Sequence, residues 1–276
     1  MKKINCLGPA FSNTHIAGLN RYPDSQYEFL SQHLSCLQLK KGLADIAIIP
    51  LRNNHEGYVD DSIKAILKNK DIVIFDRVEL KIKHNLISRS KIENIQSICS
   101  HPKALAQCEN SIKKLYSNLN KKPKIVPLSS TSEGVLLASK DSTVAAIGTY
   151  EAASYYNLPI LAENFQDHDD NATEFIFLKR GRTIQASTDC NSVFLAELNK
   201  QSKKILFGMF GKLLIKPFDF YPIKGLQDYY FITISGHPKD MSHPLSSLYH
   251  FFKKRERFGS NRKLKWVGTY LLKRAC

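Results

Sequence analysis

The sequence predicts an α/β fold with parallel-rich sheets over about the first 180 residues, followed by a small α+β unit. Two observations carry this. Short buried-strand patterns alternate with helical ones as far as Leu178, which is the signature of α/β layers. Beyond residue 200 the order changes to two strand-like stretches, an amphipathic helix and a final strand. A third observation marks the same boundary: from Gln201 to Cys276 there are 15 Lys/Arg against 4 Asp/Glu, so +11 of the net +15 lies in the tail. With 43% apolar and 24% charged residues over 276, wholesale disorder is excluded.

Taken in order, Lys3–Leu7 is a short strand that ends at the Gly8-Pro9 turn, with a helix opening at Ser12-Asn13. Ala44–Pro50 (Ala-Asp-Ile-Ala-Ile-Ile-Pro) is apolar without alternation, as expected of a strand buried on both faces. Asp60-Asp61 opens a helix with Ile63, Ile66 and Leu67 on one side, and its acidic start suits the helix dipole. Ile72–Phe75 and Arg77–Ser88 read as strands, and Ser97–Ser100 as another. A helix begins near Pro102, with Ser100 expected as its cap. Strands at Lys124–Leu128, Thr143–Ile147 and Thr173–Leu178 enclose helices from Ser132 and Thr149. Arg180–Asn199 reads as a linker, and Leu213–Phe220 and Tyr229–Ser235 as strands. Leu245, Leu248, Tyr249 and Phe252 share one face of a helix starting at His243-Pro244, and Leu264–Leu272 closes the chain as a strand.

Several chemistries are excluded by what is missing. There is no Gly-x-Gly-x-x-Gly, P-loop or Gly-x-Ser-x-Gly elbow. Six cysteines without a Cys-x-x-Cys read as reduced, mostly core thiols. Asp167-His168-Asp169-Asp170 has the spacing of no zinc or calcium pattern and reads as a polar loop, so no metal is expected. The basic tail lacks a nucleic-acid-binding motif, so a solvated face is expected and no specific nucleic-acid partner. No stretch approaches a membrane span and the N-terminus does not read as a secretory signal, so no membrane partner and a cytoplasmic location are expected.

Eight segments, met in order, resemble the prephenate dehydratase family along nearly the whole chain. They are Gly8-Pro9-Ala10-Phe11-Ser12; Ala44-Asp45 with Pro50-Leu51-Arg52-Asn53-Asn54-His55-Glu56-Gly57; Val78 to Ile87 with its interior His84; Ser100-His101-Pro102-Lys103-Ala104-Leu105-Ala106-Gln107-Cys108; Ser130-Thr131; Ala145-Ala146-Ile147; Asn164-Phe165-Gln166-Asp167; and Asn171-Ala172-Thr173-Glu174-Phe175. The tail resembles the family's ACT domain in its closing Lys265-Trp266-Val267-Gly268-Thr269-Tyr270, whereas the effector-binding Glu-Ser-Arg-Pro is reduced to Asp219-Phe220-Tyr221-Pro222.

The resemblance implies a two-lobed, periplasmic-binding-protein-like dehydratase domain at 1–180 and a ferredoxin-like ACT domain at 201–276, joined by a linker at 181–200. Lobe one is about 1–78 plus 160–180 and lobe two about 79–159, with crossings near Arg77–Leu80 and Leu158–Ala162. It implies cofactor-free conversion of prephenate to phenylpyruvate in phenylalanine biosynthesis, by a homodimer or homotetramer. Thr173 takes the catalytic donor position, and Ser12, Arg52, Asn53, Ser100, Ser130, Thr131, Gln166, Asn171 and Phe175 the substrate-binding positions. Three departures fall in this set: the first loop is two residues shorter than the family's, Arg52 replaces an acid, and Glu174 replaces an Arg. The last two reverse sign reciprocally, so an Arg52–Glu174 salt bridge is expected, with Arg52 also facing a substrate carboxylate. They also leave room for a relative acting on a similar cyclohexadienyl acid, such as a prephenate decarboxylase, or for a non-catalytic binding protein. The degraded effector motif implies a dimerising tail with little or no phenylalanine response.

Overall fold

The computed structural model describes residues 1–69, 71–117, 122–181, 190–215, 217–236, 246–247, 250 and 263–271. Lobe one is built from β1 (Lys3–Cys6), α1 (Asn13–Leu19), β2 (Gln26–Phe29), α2 (Gln32–Lys41), β3 (Ile46–Asn53), β4 (Gly57–Tyr58), α3 (Asp60–Lys68) and β5 (Ile72–Lys81). The chain then enters lobe two, with β6 (Asn85–Ile87), β7 (Ser97–Ser100), α4 (Pro102–Gln107), α5 (Glu109–Tyr116), β8 (Lys124–Pro127), α6 (Thr131–Lys140), β9 (Val144–Gly148), α7 (Tyr150–Tyr155) and β10 (Ile160–Ala162). It returns to lobe one as β11 (Ala172–Arg180). The remainder is β12 (Cys190–Glu197), α8 (Lys200–Lys212), β13 (Pro217–Pro222), β14 (Tyr229–Ser235) and β15 (Lys263–Leu271).

Lobe two is a five-stranded sheet ordered β10-β6-β9-β7-β8, in which β7 runs parallel to both β8 and β9. The lobe-one strands run β5-β11-β3-β1-β2, with β1 parallel to its neighbours and β11 antiparallel to both of its own. This sheet continues into the C-terminal strands through one parallel pair, Gly268 opposite Ile74, giving the further order β13-β14-β12-β15. Ile46–Ile49 and Phe175–Leu178 are covered on both faces, which explains their unbroken apolar runs. Each Ile, Leu or Phe side chain in these runs contributes about 1.5–3 kcal/mol of apolar burial.

Local signals set the element starts. Ser12, Ser31, Ser130 and Thr149 cap α1, α2, α6 and α7 through their hydroxyl oxygens. Gly42, at φ 76°, ends α2 in the left-handed conformation. Helix α4 differs from expectation: its cap is His101, whose Nδ1 accepts from Lys103 N at 3.2 Å, while Ser100 is buried with its hydroxyl donating to Ile147 O at 2.6 Å.

Three expectations of organisation are corrected. Ile72–Lys81 is one strand, because its alternation continues through Asp76 while pairing with β11. The crossings fall at 82–84 and 163–171, later than expected, since β5 stays in lobe one to Lys81 and β10 belongs to lobe two. Residues 190–197, expected as linker, form β12; their polar flanks obscured a strand that is buried from Cys190 to Ala196. The helix expected from His243-Pro244, with Leu245, Leu248, Tyr249 and Phe252, lies largely outside the described residues.

Helix α6 packs so closely on β7 that a Cβ at Gly134 would meet the Cys99 carbonyl oxygen at 2.8 Å. Because that neighbour is backbone, relief requires the helix to shift. Gly134→Ala should therefore cost about 1–3 kcal/mol, read as a lower denaturation midpoint with an unchanged slope.

Candidate active site

The C-terminal ends of β1, β3, β7 and β8 face one another across the two lobes, the position where open parallel sheets form a crevice. A cleft of about 360 Å³ lies there. The sequence-predicted residues Ser12, Asn53, Ser130, Thr131, Asn171, Thr173 and Phe175 line it, together with Glu56, His84, His101, Lys103, Gln107 and Ser129.

Its floor is a chain of hydrogen bonds. Asn53 Nδ2 donates to Thr173 Oγ1 at 2.9 Å and to Asn171 Oδ1 at 2.8 Å. Asn171 Nδ2 donates to Gln107 Oε1 at 3.0 Å, and His84 Nε2 reaches the same oxygen at 2.8 Å. An amide oxygen only accepts, so His84 Nε2 bears the hydrogen of this bond, while Nδ1 is buried without a partner. Burial lowers the His84 pKa below its ordinary value, against the weaker opposing effect of the Gln107 bond. Asn53 Oδ1 in turn accepts from His55 N at 3.0 Å and Glu56 N at 3.1 Å, which locks its amide orientation.

The rim supplies charge. Lys103 on α4 pairs with Glu56 from the β3–β4 turn, so this ion pair spans the cleft between the lobes. His101 beside it has its pKa lowered by burial and then by Lys103. The N-terminus of α6 lines the same cleft, and there the Ser130 hydroxyl caps Glu133 N and Glu133 reaches back to Ser129. The short first loop bridges the lobes as well, since the Phe11 ring stacks 4.4 Å from that of Tyr155 and Thr149 Oγ1 donates to Phe11 O.

Three predicted site residues do not line the cleft. Ser100 is committed beneath it to Ile147 O. Gln166 ties the crossings, its Oε1 accepting from His84 N and its Nε2 donating to Asp169. Arg52 projects from the reverse face of β3. Strand alternation that turns Asn53 inward turns Arg52 outward, just as Thr173 and Phe175 face the cleft and Glu174 does not.

The expected Arg52–Glu174 salt bridge is not the pairing found. The two are register partners across β3 and β11, yet Glu174 takes Arg77 Nη1 at 2.9 Å and Arg52 Nη1 reaches Asp219 at 3.4 Å. The Glu174 pKa is raised by burial, which outweighs Arg77 and Arg52. Lys103, Gln107 and His84 were missed as site residues, although each lies inside a segment singled out in the sequence.

Asp167 accepts from Asn110 N, Ser111 N and Ser111 Oγ at the start of α5, and Asp170 pairs with His55. Among the described residues no cluster of three His, Cys, Asp or Glu could hold a metal ion. Burial pushes the Cys6, Cys36 and Cys108 thiols up to about 12, which removes them as nucleophiles near neutral pH. No helix among the described residues is long and apolar enough to cross a membrane.

Residues 4–183 match the family model described as prephenate dehydratase. The chain belongs to the prephenate dehydratase family. A prephenate dehydratase of Methanocaldococcus jannaschii is 40% identical over 133 residues, covering 48% of this chain and 47% of that protein. The chain spans about half the length of the first curated relatives it matches. A solved prephenate dehydratase from Arthrobacter aurescens in complex with L-Phe superposes with a TM-score of 0.83 at 22% identity, covering 98% of this chain and 89% of that one. A structure described as GqqA, a quorum-quenching acylase, superposes at 0.81 and 18% identity over 99% of this chain and 98% of its own. At these identities both superpositions speak for the fold.

The neutral His84 has a consequence for stability. When pH falls below its ordinary value of 6.5, the unfolded chain takes up a proton that the folded His84 resists, so stability is lost as pH falls from 6.5 toward the lower folded-state pKa. Chemical denaturation at successive pH values should show this loss. It should be shallower in His84→Asn; equal slopes in the two proteins would remove His84 as its source.

Proposed function

We propose that the chain is a prephenate dehydratase, with Thr173 as the donor to the leaving hydroxyl. The observation that carries this reading is the Asn53 Nδ2–Thr173 Oγ1 bond within the cleft. A hydroxyl that accepts from a fixed amide has its own hydrogen left to donate elsewhere. In prephenate the C–O bond to the ring hydroxyl and the C–C bond to the ring carboxylate both break. The electron pair of the carboxylate bond completes the aromatic ring, carbon dioxide departs, and the hydroxyl takes one proton to leave as water. A threonine hydroxyl is a weak acid, so Thr173 acts by stabilising charge on the departing oxygen and relaying a solvent proton. Asn53 cannot supply that proton and serves to fix the rotor.

Prephenate is a dianion, and the cleft offers two features that suit its carboxylates: Lys103 and the N-terminus of α6. A substrate carboxylate would take Lys103 from Glu56. Phe175, almost fully buried, provides an apolar wall for the ring. Ser12 and Thr131 close the remaining polar rim.

The tail fits an ACT-like unit, with dehydratase and ACT-like portions at about 1–180 and from β12 onward. The order β13-β14-β12-β15 around α8 supports this reading, being the arrangement of a ferredoxin-like sandwich. Asp219, in the degraded effector motif, is engaged by Arg52 and Tyr58. We therefore read it as an oligomerising unit with little phenylalanine response; tight phenylalanine binding by calorimetry, or a monomer by light scattering at micromolar concentration, would overturn one half each.

Incubation of the purified protein with prephenate should yield phenylpyruvate. Thr173→Ala should lower kcat by about a hundredfold or more, and Thr173→Ser should retain much of it. A decarboxylated but non-aromatic product would replace the dehydratase reading with that of an altered relative.

A further inference from the structure

We propose that Asp219 is a positioning residue: by holding Arg52 and Tyr58 together, it fixes the β3–β4 hairpin that presents Asn53 to Thr173. Strand β4 has two residues, too few to hold a hairpin by its own ladder. Arg52 and Tyr58 stand directly opposite each other in that ladder, and Asn53 opposite Gly57 is the next pair. One carboxylate oxygen from β13 receives both: Tyr58 Oη donates to Asp219 Oδ2 at 2.6 Å, and Arg52 Nη1 lies 3.4 Å from the same atom. The C-terminal unit thus ties the two strands of the hairpin across their outer face, one residue from the amide that orients Thr173.

The surroundings make this tie stiff. The Tyr58 ring packs 4.6 Å from that of Tyr221 and 5.3 Å from that of Phe231, both on the C-terminal strands. Asp60, two residues beyond Tyr58, accepts from Tyr221 Oη at 3.2 Å. The contact also gives the sign reversal at Arg52 a physical role. An acid there would face Asp219 and repel it, whereas arginine completes a row of alternating charge from Arg77 through Glu174 and Arg52 to Asp219. That row lies on the face of the sheet away from the cleft, so its effect on chemistry is transmitted through the backbone of Asn53.

The kinetic half of this inference rests on the dehydratase reading, and hydrogen exchange tests the other half without substrate. In the full-length protein, Asp219→Ala should speed amide exchange in residues 53–58 by about tenfold, consistent with loss of charge-assisted hydrogen bonds, and leave the β1 peptide unchanged. Turnover should fall by about tenfold in kcat with KM within about twofold, because the loss falls on orienting Thr173. Asp219→Glu should restore part of both. Should Asp219→Ala fail to fold, Asp219→Asn gives the same comparison in milder form. Unchanged exchange at 53–58 would overturn the tie, and faster exchange with unaltered kcat would overturn the positioning role. A wild-type protein that forms no phenylpyruvate would overturn the dehydratase reading alone, with exchange still deciding the tie.

Discussion

Strand β11 has hydrogen-bonded neighbours on both sides, β3 and β5, and the two-residue period of an extended chain divides its side chains between two environments. Thr173 and Phe175 face the cleft; Glu174 faces the opposite surface. The same division on β3 sends Asn53 inward and Arg52 outward. Because Thr173 is opposite Asn53 in the ladder, register alone brings the donor amide to the hydroxyl. A slip of one residue would exchange both sets at once, putting a charged pair in the cleft and the hydroxyl outside it.

This constraint explains how adjacent residues of one segment can serve a polar floor and a charged outer face. The family motifs run through both faces of the same strands, so neighbouring letters of one motif can serve different tasks. Asn53 and Thr173 belong to the cleft, while Arg52 and Glu174 belong to the surface that meets the C-terminal unit. Arg52 and Glu174 are each satisfied by a separate partner, Asp219 and Arg77, and not by contact with each other. The three corrections at the site share this cause or a related one: Ser100 and Gln166 are polar because backbone groups beneath and beside the cleft need partners.

The cleft also draws on distant parts of the chain. His84 lies at the first crossing, Gln107 at the end of α4 and Asn171 at the second crossing, yet one amide oxygen joins all three. The crossings themselves are bonded to each other, Ile82 N to Asn171 O and Phe165 N to His84 O, so the floor of the cleft and the joint between the lobes are one structure. Lys103 and Glu56 then connect the lobes at the rim.

By itself, the sequence determined the α/β class, most strands and helix starts, and the candidate donor Thr173. These rest on local signals: apolar runs for strands buried on both faces, Ser or Thr before a helical stretch, and ordered family motifs. It misjudged β12, whose buried Asn191 and Ser192 look like linker until the bonds from Ser192 to Gly236 O and from Ser235 to Asn191 are seen. Only the tertiary structure decided which way each motif residue points, that Glu174 finds Arg77 and Arg52 finds Asp219, and that His84 reaches Thr173 through three amides. Those pairings join residues as far as 167 positions apart, and no periodicity within a segment can encode a partner brought in by another strand.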